Sequence, residues 1–182
     1  MGTIVSNFFI SMDGVVESPD QWHFPYWNDE MEAAVGAGFE TTAAMLMGRV
    51  LYDEWAGYWP TSTDEPIATT FNTMPKYVVS STLRAADWSN TTIIGGDDAE
   101  VAAQLRALKA SVDGDLSMSG SATLVRWLLA QGLLDELRLL VHPIAVGSGQ
   151  RLFEGTPTHP LQLVSSTTFS TGVLNLTYAP AE

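Results

Sequence analysis

One run near the middle of the chain limits the possible fold more than any other. Leu116–Phe153 reads as strand, glycine turn, helix, strand. Leu116–Ser119 is a short alternating apolar stretch, and Gly120 breaks it. Ser121 is expected to cap a helix by accepting a hydrogen bond from a first-turn N–H. Leu124, Val125, Leu128 and Leu129 then recur at helical spacing. Gly132 stands where a helix end favours positive φ. Leu137–Val141 is apolar without alternation, as expected of a strand buried on both faces.

The Gly120–Ser121 turn also carries chemical meaning. A strand that ends in glycine and feeds a helix aims free backbone N–H groups at whatever lies above it. The helix dipole adds partial positive charge there, which makes a seat for phosphate. No carboxylate lies between Ser117 and Leu134 to repel an anion. The bland alternative is an ordinary capped helix.

The same junction recurs. Ala43–Met47 reads as a buried strand that ends in Gly48-Arg49, and Val50–Ala56 reads as a helix. Arg49 suits a phosphate or carboxylate clamp; its alternative is a surface ion pair. Lys76–Ser80 is a third strand, closed by Ser81, Thr82 and Arg84. Small hydroxyls and an arginine at a strand end suit a phosphate monoester. Gly95-Gly96-Asp97-Asp98 imitates a phosphate loop, but two aspartates at a helix start repel phosphate and act as caps. Val146–Leu152 begins like a dinucleotide fingerprint, yet Leu152 holds the third glycine position and no helix follows.

The remaining elements alternate in the same way. Thr3–Ile10 is a strand that runs into Ser11-Met12-Asp13-Gly14. Asp13 thus places a carboxylate at a strand's C-terminal end, where open α/β sheets bind ligands; an Asx turn is the alternative. Glu17–Asn28 holds Trp22, His23, Phe24, Tyr26 and Trp27 between prolines. These aromatics either fold back on the core or line a pocket for a flat ligand. Asn28 is expected to cap a helix over Asp29–Phe39. Leu161–Phe169 and Val173–Tyr178 read as a terminal antiparallel hairpin. The pattern predicts a single α/β domain over residues 1–182, with a mostly parallel sheet and an antiparallel edge.

Composition removes several function classes. The net charge is −13 with eight basic residues, which disfavours nucleic acid as a partner. No apolar run approaches the roughly 20 residues a membrane span needs. There is no cysteine, so thiolate catalysis and cysteine-bound zinc are out. His23, His142 and His159 have no second ligand at i+3 or i+4, so no metal site is expected. The N-terminus lacks a signal-peptide pattern, and a cytoplasmic location is the default expectation.

These blocks together resemble the dihydrofolate-reductase-like superfamily. The likeness is greatest to the reductase domain of the bifunctional riboflavin-biosynthesis deaminase-reductase and its stand-alone relatives. It rests on SMDG at Ser11–Gly14, MGRVLYDEW at Met47–Trp55 and PKYVVSSTL at Pro75–Leu83. SGSATLVRWLLAQGLLDEL at Ser119–Leu137, HPIAVGSGQRLF at His142–Phe153 and the terminal hairpin complete it. No H-x-E or P-C-x-x-C pattern of a deaminase half occurs.

The resemblance implies a three-layer fold, NADPH as hydride donor, a small-molecule substrate and commonly a homodimer. It implies that Gly48 and Arg49 contact the cofactor phosphates and that Ser80, Ser81 and Thr82 lie near the adenosine ribose. Gly120, Ser121, Ala122, Thr123 and Leu124 would cradle the pyrophosphate. Asp13 would anchor substrate or supply a proton, and Trp22, Phe24 and Trp55 would wall the substrate pocket. A carboxylate in Asp29–Glu32 lies loosely where dihydrofolate reductases carry their acid. A protein of this fold that binds the nucleotide without turnover, as a sensor or sequestering module, is the rival reading.

Overall fold

The structure, a computed structural model, describes residues 1–181. The strands are β1 (Thr3–Ser11), β2 (Thr42–Gly48), β3 (Lys76–Val79), β4 (Thr91–Ile94), β5 (Asp115–Met118), β6 (Glu136–His142), β7 (Leu161–Thr168) and β8 (Leu174–Pro180). The helices are α1 (Asp29–Glu40), α2 (Arg49–Tyr58), α3 (Ile67–Thr73), α4 (Asp98–Ser111) and α5 (Ala122–Ala130). No helix is long and apolar enough to cross a membrane.

All eight strands form one sheet in the order β4-β3-β2-β5-β1-β6-β8-β7. β1 to β6 are mutually parallel where they pair, and β8 and β7 run antiparallel at one edge. The hairpin's register shifts by a bulge between Leu163 and Ser165.

Side-chain alternation divides the sheet into two faces. Ile4, Leu46, Leu116, Leu128, Leu137 and Leu139 belong to the core that α4 and α5 cover. The other face splits in two. Met45, Met47 and Val78 pack with Tyr52, Phe71 and Trp88. Phe9 and Leu140 pack on Met31 of α1 and on Phe169 and Val173. β6 therefore departs from the two-sided burial its apolar run suggests. Leu137 and Leu139 are buried, whereas Arg138 and Leu140 are only partly so. The face they share with α1 opens into a cavity.

Local signals set the helix ends. Asn28 Oδ1 accepts from Met31 N at 3.0 Å. Asp97 and Glu100 close a reciprocal capping box at 2.9 Å each way, so the Gly95–Asp98 turn explains itself as a cap. Lys76 shows how far the core reaches. It is fully buried, its Nζ donates to the carbonyls of Phe71 and Met74 at 2.7 Å, and it lies 4.4 Å from the Trp88 ring centre. Burial pushes its ammonium down to about 8.

The strand order fixes where a ligand can sit. From β2 the chain moves outward to β3 through α2. From its neighbour β5 it moves the other way to β6 through α5. The two helices leave on opposite faces, so a crevice opens at the carboxyl ends of β2 and β5, the switch point of an open α/β sheet.

Candidate functional site

Both glycine junctions meet at that crevice. Gly48 N donates to Ser121 Oγ at 3.1 Å, bridging the ends of β2 and β5. A Cβ on Gly48 would fall 2.6 Å from Ser121 Oγ, so only glycine lets the two junctions approach this closely. Gly120 and Ser121 both have positive φ, 112° and 67°.

This corrects the expected role of Ser121. Its side chain does not cap α5, because its hydroxyl is spent on Gly48. The first helical bond runs from Val125 N to Ser121 O at 3.0 Å. The N–H groups of Ala122, Thr123 and Leu124 precede it and have no intrahelical acceptor. α2 also starts at a glycine with no side-chain cap. Two uncapped helix N-termini, each with its dipole's positive end, thus face one space.

That space is a cavity of about 1280 Å³, larger than the roughly 300–1,000 Å³ typical of a single small-ligand site. Gly48, Arg49, Ser80, Ser81, Thr82 and the Gly120–Leu124 turn line one half. Ser80 Oγ accepts from Thr82 N at 3.2 Å and Leu83 N at 3.0 Å, which folds the strand end back toward α2. Arg49 Nε pairs with Asp53 at 2.7 Å, and its Nη1 stands 3.5 Å from Thr82 Oγ1. Arg84 does not line the cavity.

The other half is walled by Phe9, Val35, Phe39, Trp55 and Leu140. Its floor holds polar side chains from one face of adjacent strands. Asn7 Nδ2 donates to Ser117 Oγ at 3.1 Å, and Arg138 is held by Glu136 at 2.7 Å and Asp115 at 3.9 Å. Glu17, Asp20, Glu54 and Asp98 add carboxylates to the cavity lining. These floor and rim groups were missed from sequence. Asn7 and Arg138 interrupt otherwise apolar strands, which is the one local signal they gave.

Three expected site residues lie elsewhere. Asp13 is outside the cavity lining. Its carboxylate accepts from Ser11 Oγ at 2.7 Å, Val146 N at 3.0 Å and Gly147 N at 2.8 Å, with Arg151 Nη2 at 3.6 Å. The Ser11 hydroxyl, then the two backbone N–H groups, lower its pKa to about 2. Asp13 therefore pins the Val146–Gly147 turn to the end of β1 and carries no proton to donate at neutral pH.

Trp22 and Phe24 are also outside the lining. The aromatic loop folds back on the core. Trp22 is buried, and with His23 and Tyr26 it surrounds the buried His142 ring at centroid distances of 5.3, 6.1 and 5.6 Å. His23 stacks on Phe9 at 4.6 Å, while Phe24 points outward, 62 % exposed. The loop's start, Glu17–Asp20, is what reaches the cavity. Nor does any carboxylate of Asp29–Glu32 line it. Glu30 instead accepts from Ser170 N and Oγ at 2.7 and 2.6 Å. Ala34, Val35, Gly38 and Phe39 are what α1 presents. Among the described residues no group of His, Asp and Glu is arranged to hold a metal.

The profile of the RibD C-terminal domain matches residues 2–175. The chain belongs to the RibD C-terminal domain family. It is 31% identical over 139 residues to the uncharacterized protein YyaP of Bacillus subtilis (strain 168), covering 74% of this chain and 72% of that one. Solved structures bear out the fold. A candidate riboflavin biosynthesis protein from Shewanella sp. PV-4 superposes with TM-score 0.78 at 19% identity, over 99% of each chain. The deaminase/5-amino-6-(5-phosphoribosylamino)uracil reductase of Thermotoga maritima gives 0.70 at 14% identity, over 99% of this chain and 57% of that one. Dihydrofolate reductase from Enterococcus faecalis, complexed with NADP(H), gives 0.63 at 12% identity, over 100% of this chain and 98% of that one. These superpositions show that this chain shares its overall fold with the Thermotoga maritima enzyme and with dihydrofolate reductase.

Proposed function

We propose that this RibD-type domain is an NADPH-dependent reductase that delivers a hydride to a small, flat heterocyclic or carbonyl-bearing substrate. The observation that carries the reading is the pair of uncapped helix N-termini meeting at Gly48 and Ser121. A dinucleotide needs two phosphates neutralised without many cations, and this chain has few. Backbone N–H groups and helix dipoles do that work. Family membership supports the reductase assignment.

The residues present fit the dinucleotide. Gly48 leaves no room for a Cβ at the closest approach, and the N–H groups of Ala122, Thr123 and Leu124 would hold the pyrophosphate. Arg49, Ser80, Ser81 and Thr82 would hold the adenosine end. When bound, the reduced nicotinamide supplies the hydride. Phe9, Phe39 and Trp55 orient the flat partner against it and keep water out. Glu17, Asp20 and Glu54 line the cavity, whereas Asp13 stands outside it with its carboxylate saturated by Ser11, Val146 and Gly147. A homodimer, which the family resemblance implies, belongs to the same reading.

The displacement of Asp13 from the cavity favours one rival, nucleotide binding without turnover. Loss of NADPH absorbance near 340 nm, followed against a panel of pyrimidine, pteridine and quinone compounds, separates the two. Sustained, substrate-dependent consumption supports the reductase. Saturable binding with no consumption across the panel selects the rival.

A further inference from the structure

The last stretch of the chain differs from the rest in charge. From Gly155 to Ala181 there is no Asp, Glu, Lys or Arg, in a chain whose net charge is −13. That stretch forms the β7–β8 hairpin at one edge of the sheet. Among the described residues β7 pairs with β8 on one side and with no strand on the other. Half of its backbone N–H and C=O groups therefore face outward. Every residue of β7 after Leu161 is exposed. Successive side chains on a strand point to opposite faces, so neither face of β7 is covered.

Open edges of this kind are normally blunted by lysines, prolines, bulges or a covering element. β7 has no charge and no proline within it, and its one irregularity is the bulge between Leu163 and Ser165. At that bulge stand Leu163 and Val164, 50 % and 59 % exposed, and Leu174 of β8 is 39 % exposed. The register puts Leu161, Leu163, Leu174, Leu176 and Tyr178 on one face. The hairpin thus presents an apolar strip along an unpaired backbone. Ser165 to Thr168 add hydroxyls that bond without charge.

We propose that β7 is the seat of a second copy of this chain, paired antiparallel with its own β7 about a two-fold axis, so that the two sheets run on as one. Charge argues for this occupant. A basic partner is drawn to the carboxylates elsewhere on the molecule, whereas an acidic one approaches best where charge is absent. A second copy is as acidic as the first, and the hairpin lets the two meet without opposing like charges. A two-fold axis across β7 sets the same uncharged strand opposite itself. The outward N–H and C=O groups then bond each other, and Leu163 and Val164 leave water. The inference locates the homodimer of the proposed reading and stands whether or not the chain turns over NADPH.

Light scattering after gel filtration tests this on the full chain at about 50 µM, without nucleotide. The expected mass is twice the chain mass of 19.7 kDa. Leu163→Glu with Val164→Glu sets carboxylates of the two copies against each other. Both side chains are exposed in the single chain, so the variant is expected to keep its circular dichroism spectrum. It should run as a monomer, its self-affinity at least about 100-fold lower. Ala103→Glu with Ala107→Glu adds the same charge at exposed positions of α4 and should stay dimeric. Amide hydrogen exchange reads the edge itself: the outward N–H groups of β7 are protected in the wild type and exchange at least about tenfold faster in the hairpin variant. A wild-type monomer, a hairpin variant that stays dimeric, or a wild-type dimer whose outward β7 amides exchange freely overturns the proposal. So does equal dissociation of the α4 variant, since net charge and not the edge then decides. If the hairpin variant fails to fold, exchange in the wild type decides alone.

Discussion

At the residue scale, two polar groups change meaning once their partners are known. Asp13 sits where a sequence reading puts a ligand-facing acid, but its acceptors are filled by Ser11, Val146 and Gly147. Those donors lie more than 130 residues away in two of three cases, so nothing near Asp13 announces them. Asp13→Asn is expected to lower the melting temperature and to leave NADPH affinity within about twofold, because the carboxylate holds a turn and not the cofactor. A thermal scan and a binding titration on the same variant check both parts. The buried histidines make a second case. Burial, with mutual repulsion adding for His23, holds His23 and His142 below the usual imidazole range. The folded state then binds fewer protons than the unfolded chain below pH ~6.5, so stability is lost as pH falls through that value. Urea midpoints at pH 7.5 and 5.5 should show the drop, and His23→Phe should reduce it.

At the scale of elements, much was legible. The strand–glycine–helix junctions at Gly48 and Gly120, the Asn28 and Asp97 caps and the terminal hairpin all follow from local chemistry. What failed was long-range. Ser121 has the residue type of a cap, yet its hydroxyl bonds Gly48 across the sheet, 73 positions away. Trp22 and Phe24 lie on a loop whose direction depends on the His142 ring beneath it, which no local pattern encodes. At one end of the cavity, where backbone geometry decides, the residues singled out from sequence do line it. At the other, where packing between distant segments decides, Trp22 and Phe24 do not. Gly48→Ala tests the first. A methyl 2.6 Å from Ser121 Oγ forces that side chain or the α2 start to move, so NADPH affinity should fall at least about tenfold while the circular dichroism spectrum is retained. Unchanged affinity in a folded variant would mean that the two junctions do not hold the cofactor.

At the scale of the whole molecule, the proposed function asks an acidic chain to bind a dinucleotide without a basic patch. The net charge of −13 should repel a phosphorylated cofactor at long range. Two helix starts converging at the switch point supply the local attraction instead, and salt screens the long-range repulsion but scarcely affects contacts at hydrogen-bond distance. NADPH affinity is thus expected to hold or rise between about 20 and 200 mM salt, the opposite of a site built from surface arginines. The measurement that bears most directly on this account is a titration of the protein with NADPH, and separately with NADH, at both salt concentrations. Tryptophan emission and the melting temperature are followed together, since a ligand that binds only the folded state must raise the latter. Saturable NADPH binding, tighter than NADH and not weakened by salt, is the predicted result. No response to either nucleotide would contradict the central claim that the paired helix starts at Gly48 and Ser121 are a cofactor seat.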